Sequence, residues 1–125
     1  MAMTANPKSH LPLQPHVFQI LLSLIQREMH GYSLIKDIGA RTEGEMVLGT
    51  STLYAAVKRM VKGGLLEEIQ RPADSDSEDG RRRYYRATPF GREVAREEAL
   101  RIRRLDEMLA GTSLLGDAAS EKTGV

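Results

Sequence analysis

From Leu13 to Met29 apolar side chains return at helical spacing: Val17, Leu21 and Leu24, flanked by Phe18, Leu22, Ile25 and Met29. Recurrence at i, i+3, i+4 and i+7 marks an amphipathic helix, and a stripe this wide suits burial on more than one side. His30-Gly31 breaks it. A short second helix follows with Tyr32, Leu34, Ile35 and Ile38 inward, and Gly39 and Gly44 mark its end and the loop beyond. Met46-Val47-Leu48 predicts a very short strand. A third helix starts at Gly49 to Ser51, with Thr50 a candidate N-cap. It buries Leu53, Val57, Met60 and Val61 and stops at Gly63-Gly64, because glycine readily takes the left-handed conformation that a helix C-terminus favours.

The period then changes. Leu65 to Arg71 and Arg81 to Thr88, with Ile69, Tyr84 and Tyr85, read as two strands. They flank Pro72 to Gly80, which is rich in turn residues, so a hairpin with a long tip is expected. Thr88-Pro89 supplies an N-cap followed by proline at the first helical position. The fourth helix runs to about Ala110 with Ala95, Ala99, Ile102, Leu105 and Leu109 along one side, and charge on the other that includes a Glu97–Arg101 pair. Residues 1–12, with Pro7 and Pro12 and no periodicity, read as a flexible N-terminal arm, and 111–125 as a disordered tail. Helix, helix, short strand, helix, hairpin, helix is the winged-helix plan: mainly α with a small β-hairpin, a domain over 13–88 and a further helix over 89–110.

Composition narrows the chemistry. The chain has 125 residues, only 5% of them aromatic, with no Trp and no Cys. That suits one domain with a mostly aliphatic core and excludes disulfides, thiolate metal sites and a cysteine nucleophile. The longest apolar stretch, Val17 to Ile25, is far short of the ~20 residues needed to span a bilayer, and no secretory signal is visible, so a cytoplasmic protein is expected. The three histidines, His10, His16 and His30, lack ligand spacing. No nucleophile elbow, Walker loop or dinucleotide fingerprint occurs; no enzyme, metal site or cofactor is expected.

Net charge is +1, which says little by itself. Its distribution says more: Lys58, Arg59 and Lys62 cluster in the third helix, and Arg81, Arg82, Arg83 and Arg86 in the second strand of the hairpin. Between them lies an acidic run, Asp74, Asp76, Glu78 and Asp79. Two separated basic clusters fit an electrostatic footprint for nucleic acid. The acidic run fails as a calcium loop, because Asp79 stands at the turn-glycine position and Tyr85 where the bidentate Glu belongs.

Four local sequences occur in order: His30-Gly31-Tyr32-Ser33-Leu34-Ile35, Ser51-Thr52-Leu53-Tyr54-Ala55-Ala56-Val57-Lys58-Arg59-Met60, Gly64-Leu65-Leu66, and Arg83-Tyr84-Tyr85-Arg86-Ala87-Thr88-Pro89-Phe90-Gly91. They resemble the HGY element, the TLYxxLxRL recognition helix, the GLI turn and the YYxLTxxG wing junction of the PadR family of transcriptional regulators, and the resemblance covers roughly Leu13 to Leu109. It implies a homodimeric winged helix-turn-helix regulator, often a repressor, acting on double-stranded DNA at a pseudo-palindromic operator. The third helix would enter the major groove and the wing would run along the backbone. Many members respond to a small hydrophobic or phenolic effector; with a single helix after the wing, this chain looks like the shorter branch, with a small effector cavity or none. Two departures stand out. The acidic wing tip would be repelled by phosphate, and Ala87 replaces a larger aliphatic residue.

The third helix suits DNA on physical grounds as well. A helix N-terminus presents unpaired N–H groups and partial positive charge to phosphate. Thr50, Ser51 and Thr52 add hydroxyls there, Tyr54 reaches a phosphate or sugar, and Lys58 lies one turn on. Small residues at Ala55 and Ala56 permit close approach to a groove. The competing reading is that Thr50 only caps and Tyr54 packs beneath the wing. Arg81, Arg82 and Arg83 alternate faces, so one set, from Arg82 or Arg83, meets phosphate and the other covers apolar surface with its stems. His30 reads as a turn residue with a backbone hydrogen bond. The fourth helix either folds back on its own domain or pairs with a second copy through Ile102, Leu105 and Leu109; little remains in the domain to cover it, which favours dimerisation. The rival function is a protein–protein interaction module that keeps the fold without binding DNA.

Overall fold

The computed structural model describes residues 6–72 and 81–116. A 3-10 turn, Pro7–His10, leads into α1 (Pro15–Gln26), β1 (Met29–His30), α2 (Gly31–Arg41), α3 (Thr50–Lys62), β2 (Leu66–Pro72), β3 (Arg81–Ala87) and α4 (Pro89–Ala110). The strands form one antiparallel sheet in the order β1-β3-β2. Four helices with a small three-stranded sheet make a winged helix.

The core lies where the apolar stripes converge. Ile20, Leu21 and Leu24 of α1, Leu34 and Ile38 of α2, and Leu53 and Val57 of α3 are buried together with Tyr85 and Val94. Helix α1 is shorter than its periodicity suggests. Pro15 opens it at the first helical position, and Arg27 already has extended backbone (φ −169°), so Met29 leaves the helix for β1. The inward face of α2 is Gly31, Leu34 and Ile38. Tyr32, expected inward, is 65% exposed instead, about 100° round the helix from Gly31, with Lys36 Nζ 5.3 Å from its ring centre.

The third strand is not where the sequence suggests. Residues 46–48 form no strand: Val47 is 75% exposed, and the Met46 N–H is taken by the Thr42 hydroxyl at 3.0 Å rather than by a neighbouring chain. Met29–His30 supplies the strand, with Met29 opposite Tyr85 and His30 opposite Tyr84. β2 and β3 pair from Leu66–Ala87 to Pro72–Arg81. The intervening tip, including the acidic run, lies outside the described residues.

Two of the sequence motifs meet at the end of α3. Gly64 has φ +82°; its N–H reaches Val61 O at 3.1 Å and the Leu65 N–H reaches Met60 O at 2.9 Å, the paired bonds of a Schellman turn. The next helix docks on that turn. Thr88 N–H donates to Leu65 O at 3.1 Å, the Thr88 hydroxyl donates to Gly64 O, and Gly91 N–H donates to the Thr88 hydroxyl at 2.9 Å. A Cβ at Gly91 would collide with the Leu65 carbonyl, so glycine is required there.

Polar groups fix the remaining joints. The Arg41 guanidinium donates to Gln19 Oε1, Gln19 O, Ser23 Oγ and Asp37 Oδ2 at 2.7–2.9 Å, and the buried Ser23 hydroxyl donates to Asp37 at 2.7 Å. This bracket ties α1 to α2. The Ser23 hydroxyl first, and Arg41 after it, hold the Asp37 carboxyl below the usual carboxylate range.

Of residues 1–12, expected as a flexible arm, 1–5 lie outside the described residues and 6–12 pack against the domain. His10 meets Phe90 edge-on at 5.4 Å, and Leu11 and Leu13 lie on the core. The anchor is Glu98, 2% exposed and bound by Arg101 at 2.7 and 2.9 Å. Arg101, and further the Leu13 amide, keep its carboxyl in the charged form. Arg101 therefore pairs with Glu98, not with Glu97 as the i,i+4 spacing suggests. Glu98 points beneath the N-terminal segment, where the carboxylate has a second donor.

Candidate nucleic-acid interface

Helix α3 is divided lengthwise. Leu53, Ala56, Val57 and Met60 are buried. Thr50, Ser51, Thr52, Tyr54, Ala55, Lys58, Arg59 and Lys62 are exposed. The expected hydroxyls, Lys58 and Ala55 thus share the solvent side, with Ser51, Ala55, Lys58 and Lys62 in one row at spacings of three and four. Ala56 does not; it is in the core, because 53, 56, 57 and 60 form the stripe. Thr50 is the first helical residue and not the cap. Gly49 occupies the cap position, and no side chain there bonds the first turn, so the amino end of α3 keeps unsatisfied N–H groups facing solvent.

Lys58, Arg59 and Lys62 have no carboxylate within ion-pairing distance among the described residues. Arg41, Arg83, Arg86 and Arg101 are instead paired with carboxylates. Arg86 sits 2.8 Å from Glu67 and 3.5 Å from Glu28, which explains why it does not join the basic footprint. Unpaired cations concentrated on one helix face leave a positive surface, the arrangement that attracts phosphate.

The wing stands beside this face. Tyr85 of β3, buried in the core, has its phenol pushed up by desolvation and then by Glu68. Arg83 is two residues along the same face; its side chain is 72% exposed and 3.3 Å from Glu68, a weak surface pair. Arg82 is opposite Arg71 in the ladder, and its side chain, like the acidic tip at 74–79, lies outside what is described. His30 caps α2, its ring accepting from Ser33 N–H at 3.4 Å, and stacks edge-on against Tyr84 at 5.4 Å, in keeping with a turn residue.

Tyr54 takes an intermediate place. Its ring is 42% exposed, yet its hydroxyl end sits over Gly31 at the start of α2, where a Cβ would collide with it. Sequence reasoning named both residues without connecting them.

A second exposed face belongs to α4. Its first turns are buried through Gly91, Val94, Ala95 and Glu98, so that part folds back on the domain. Beyond them Ile102, Leu105, Met108 and Leu109 are 36–64% exposed. Met108 joins the expected Ile102, Leu105 and Leu109, which it neighbours at spacings of three and one.

Residues 20–97 match the transcriptional regulator PadR-like family. This chain belongs to that family. A solved transcriptional regulator from Clostridium thermocellum is 27% identical to this PadR-like chain, covering 77% of it and 87% of the other, with a TM-score of 0.64. Bacillus subtilis PadR in complex with operator DNA, at 16% identity, covers 69% of this chain and 47% of that one with a TM-score of 0.59; at that identity the likeness is one of fold. An uncharacterised protein of Lysinibacillus sphaericus is 31% identical over 81 residues, 64% of this chain and 72% of the other. No helix among the described residues is long and apolar enough to cross a membrane.

Proposed function

We propose that this PadR-like regulator binds double-stranded DNA as a homodimer, reads a pseudo-palindromic operator through α3, and represses transcription in the cytoplasm. The observation that carries this is the exposed face of α3: an uncapped amino end, three hydroxyl residues, and three cations with no carboxylate partner among the described residues. Bacillus subtilis PadR, whose fold this chain shares, is bound to operator DNA, which supports the same use here. Thr50, Ser51 and Thr52 are assigned to phosphate or base edges at the first turn, Lys58 to the groove, and Arg82 or Arg83 to phosphate along the wing. The exposed row Ile102, Leu105, Met108 and Leu109 is assigned to the dimer, because apolar side chains on a projecting helix gain most by pairing with their copies. A small apolar effector would find space in the 240 Å³ cleft between the N-terminal segment and the end of α3, walled by Pro12, Leu13, Val17, Met60 and Leu65.

Selection of bound sequences from a random duplex pool tests the proposal. A two-fold dimer should enrich a palindrome with half-sites about one helical turn, ~34–36 Å, apart. Failure to enrich any sequence at low salt would overturn DNA reading and leave the protein–protein interaction module.

A further inference from the structure

Tyr54 and Gly31 belong to different motifs and different helices, and they touch. The hydroxyl and Cζ of Tyr54 lie so close over Gly31 that a Cβ built there would overlap both. Gly31 is the first residue of α2 and is buried. Among the described residues the Tyr54 hydroxyl has no hydrogen-bond partner, so the ring makes the contact by packing. Helices α2 and α3, two elements that must meet a duplex in fixed relation, thus share one contact through a single side chain.

Leverage makes that contact matter. Leu53, Ala56 and Val57 seat α3 on the core, and Tyr54 adds a contact farther from the helix axis, where a given rotation moves atoms most. The Tyr54 ring reaches its neighbour far from the axis, so the same rotation would drive it into Gly31 or lift it away. A rotation of α3 would misplace Ser51 and Lys58 relative to the base edges, while leaving the charge of the surface unchanged. Base readout depends on placement; non-specific phosphate attraction depends mainly on charge.

We propose that Tyr54 is a positioning residue whose ring, seated on the bare α-carbon of Gly31, sets the rotation of α3 against α2 and thereby the sequence specificity of DNA binding. This rests on the DNA-binding reading above. It also gives Gly31 a reason: any side chain there unseats the ring.

The test uses the full chain, a duplex recovered from the selection and a scrambled duplex of equal length, titrated at several salt concentrations, with thermal unfolding recorded for each variant. Tyr54→Phe should keep both affinities within about twofold and leave the salt slope unchanged. Tyr54→Ala should weaken the selected duplex about tenfold while the scrambled duplex and the slope stay as they were, lowering the specificity ratio. Gly31→Ala should fold, because the obstacle is the far end of a side chain that can swing out, and should show the same loss. The double variant should be no worse than either single one, since one contact is being removed twice. If Gly31→Ala does not fold, the two Tyr54 variants decide. Losses that add would overturn the proposal. So would a Tyr54→Phe protein weakened equally on both duplexes with a slope smaller by about one per contact, which means the hydroxyl holds phosphate. Wild type that prefers neither duplex refutes the DNA-binding reading itself; normal wild-type preference with unaffected variants refutes this inference alone.

Discussion

Replacing Leu105 by alanine should weaken the dimer without disturbing the domain. The residue lies two turns beyond Glu98, the last buried position of α4, and is 44% exposed in the single chain. Complete burial of a leucine side chain contributes about 1.5–3 kcal/mol. Covering the exposed share therefore contributes about 1 kcal/mol per copy. A two-fold interface counts it twice, so Leu105→Ala should cost about 2 kcal/mol, close to 30-fold in the dissociation constant. Leu105→Lys with Leu109→Lys goes further by setting four ammonium groups in the symmetric contact, where desolvation without partners is costly. Sedimentation equilibrium across the micromolar range, with far-ultraviolet circular dichroism to check the helices, reads both effects. A wild-type protein that is monomeric at micromolar concentration refutes the assignment of this face, and so does a Leu105→Lys, Leu109→Lys protein that dimerises as tightly as wild type.

Other expectations follow from single joints. Gly91→Ala should destabilise by about 1–3 kcal/mol in denaturant unfolding, because its Cβ meets the fixed Leu65 carbonyl; a change below a few tenths would show that the α3–α4 joint yields. Asp37 and Glu98 titrate below their ordinary values of 3.8 and 4.5. The unfolded chain thus takes up protons first, and the stability these carboxylates contribute is complete above those values and lost as pH falls through the folded ones. Asp37→Asn with Glu98→Gln should flatten the acid limb of an unfolding series from neutral pH downward, and an unchanged limb would refute the account. Lys58→Ala separates two modes of contact: a base contact should cost ~1–3 kcal/mol and relax preference at one position per half-site, whereas a phosphate contact should weaken all duplexes alike and reduce the salt slope by about one.

What the sequence determined by itself was the set of elements whose signals are local. Thr88-Pro89 starts α4, Gly63-Gly64 ends α3, and the stripe 53, 57, 60 buries one face of α3, because caps, left-handed glycines and helical periodicity act over a few residues. The tertiary structure decided whatever depends on partners distant along the chain. Met29–His30 becomes a strand only because Tyr84 and Tyr85 come alongside, and Met46–Leu48 does not, because no strand among the described residues does. Residues 6–13 pack because Phe90 receives the His10 ring and Glu98 the Leu13 amide, which no local pattern announces. Ala56 is buried and Ala55 exposed, a division set by the rotation of α3 against the core. The α4 stripe reads as one continuous face in sequence, but folding divides it, since the domain ends at Glu98 and covers only the turns that lie against it. The seat of Tyr54 on Gly31 joins residues 23 positions apart; each motif carries half of the contact, and only packing brings the halves together.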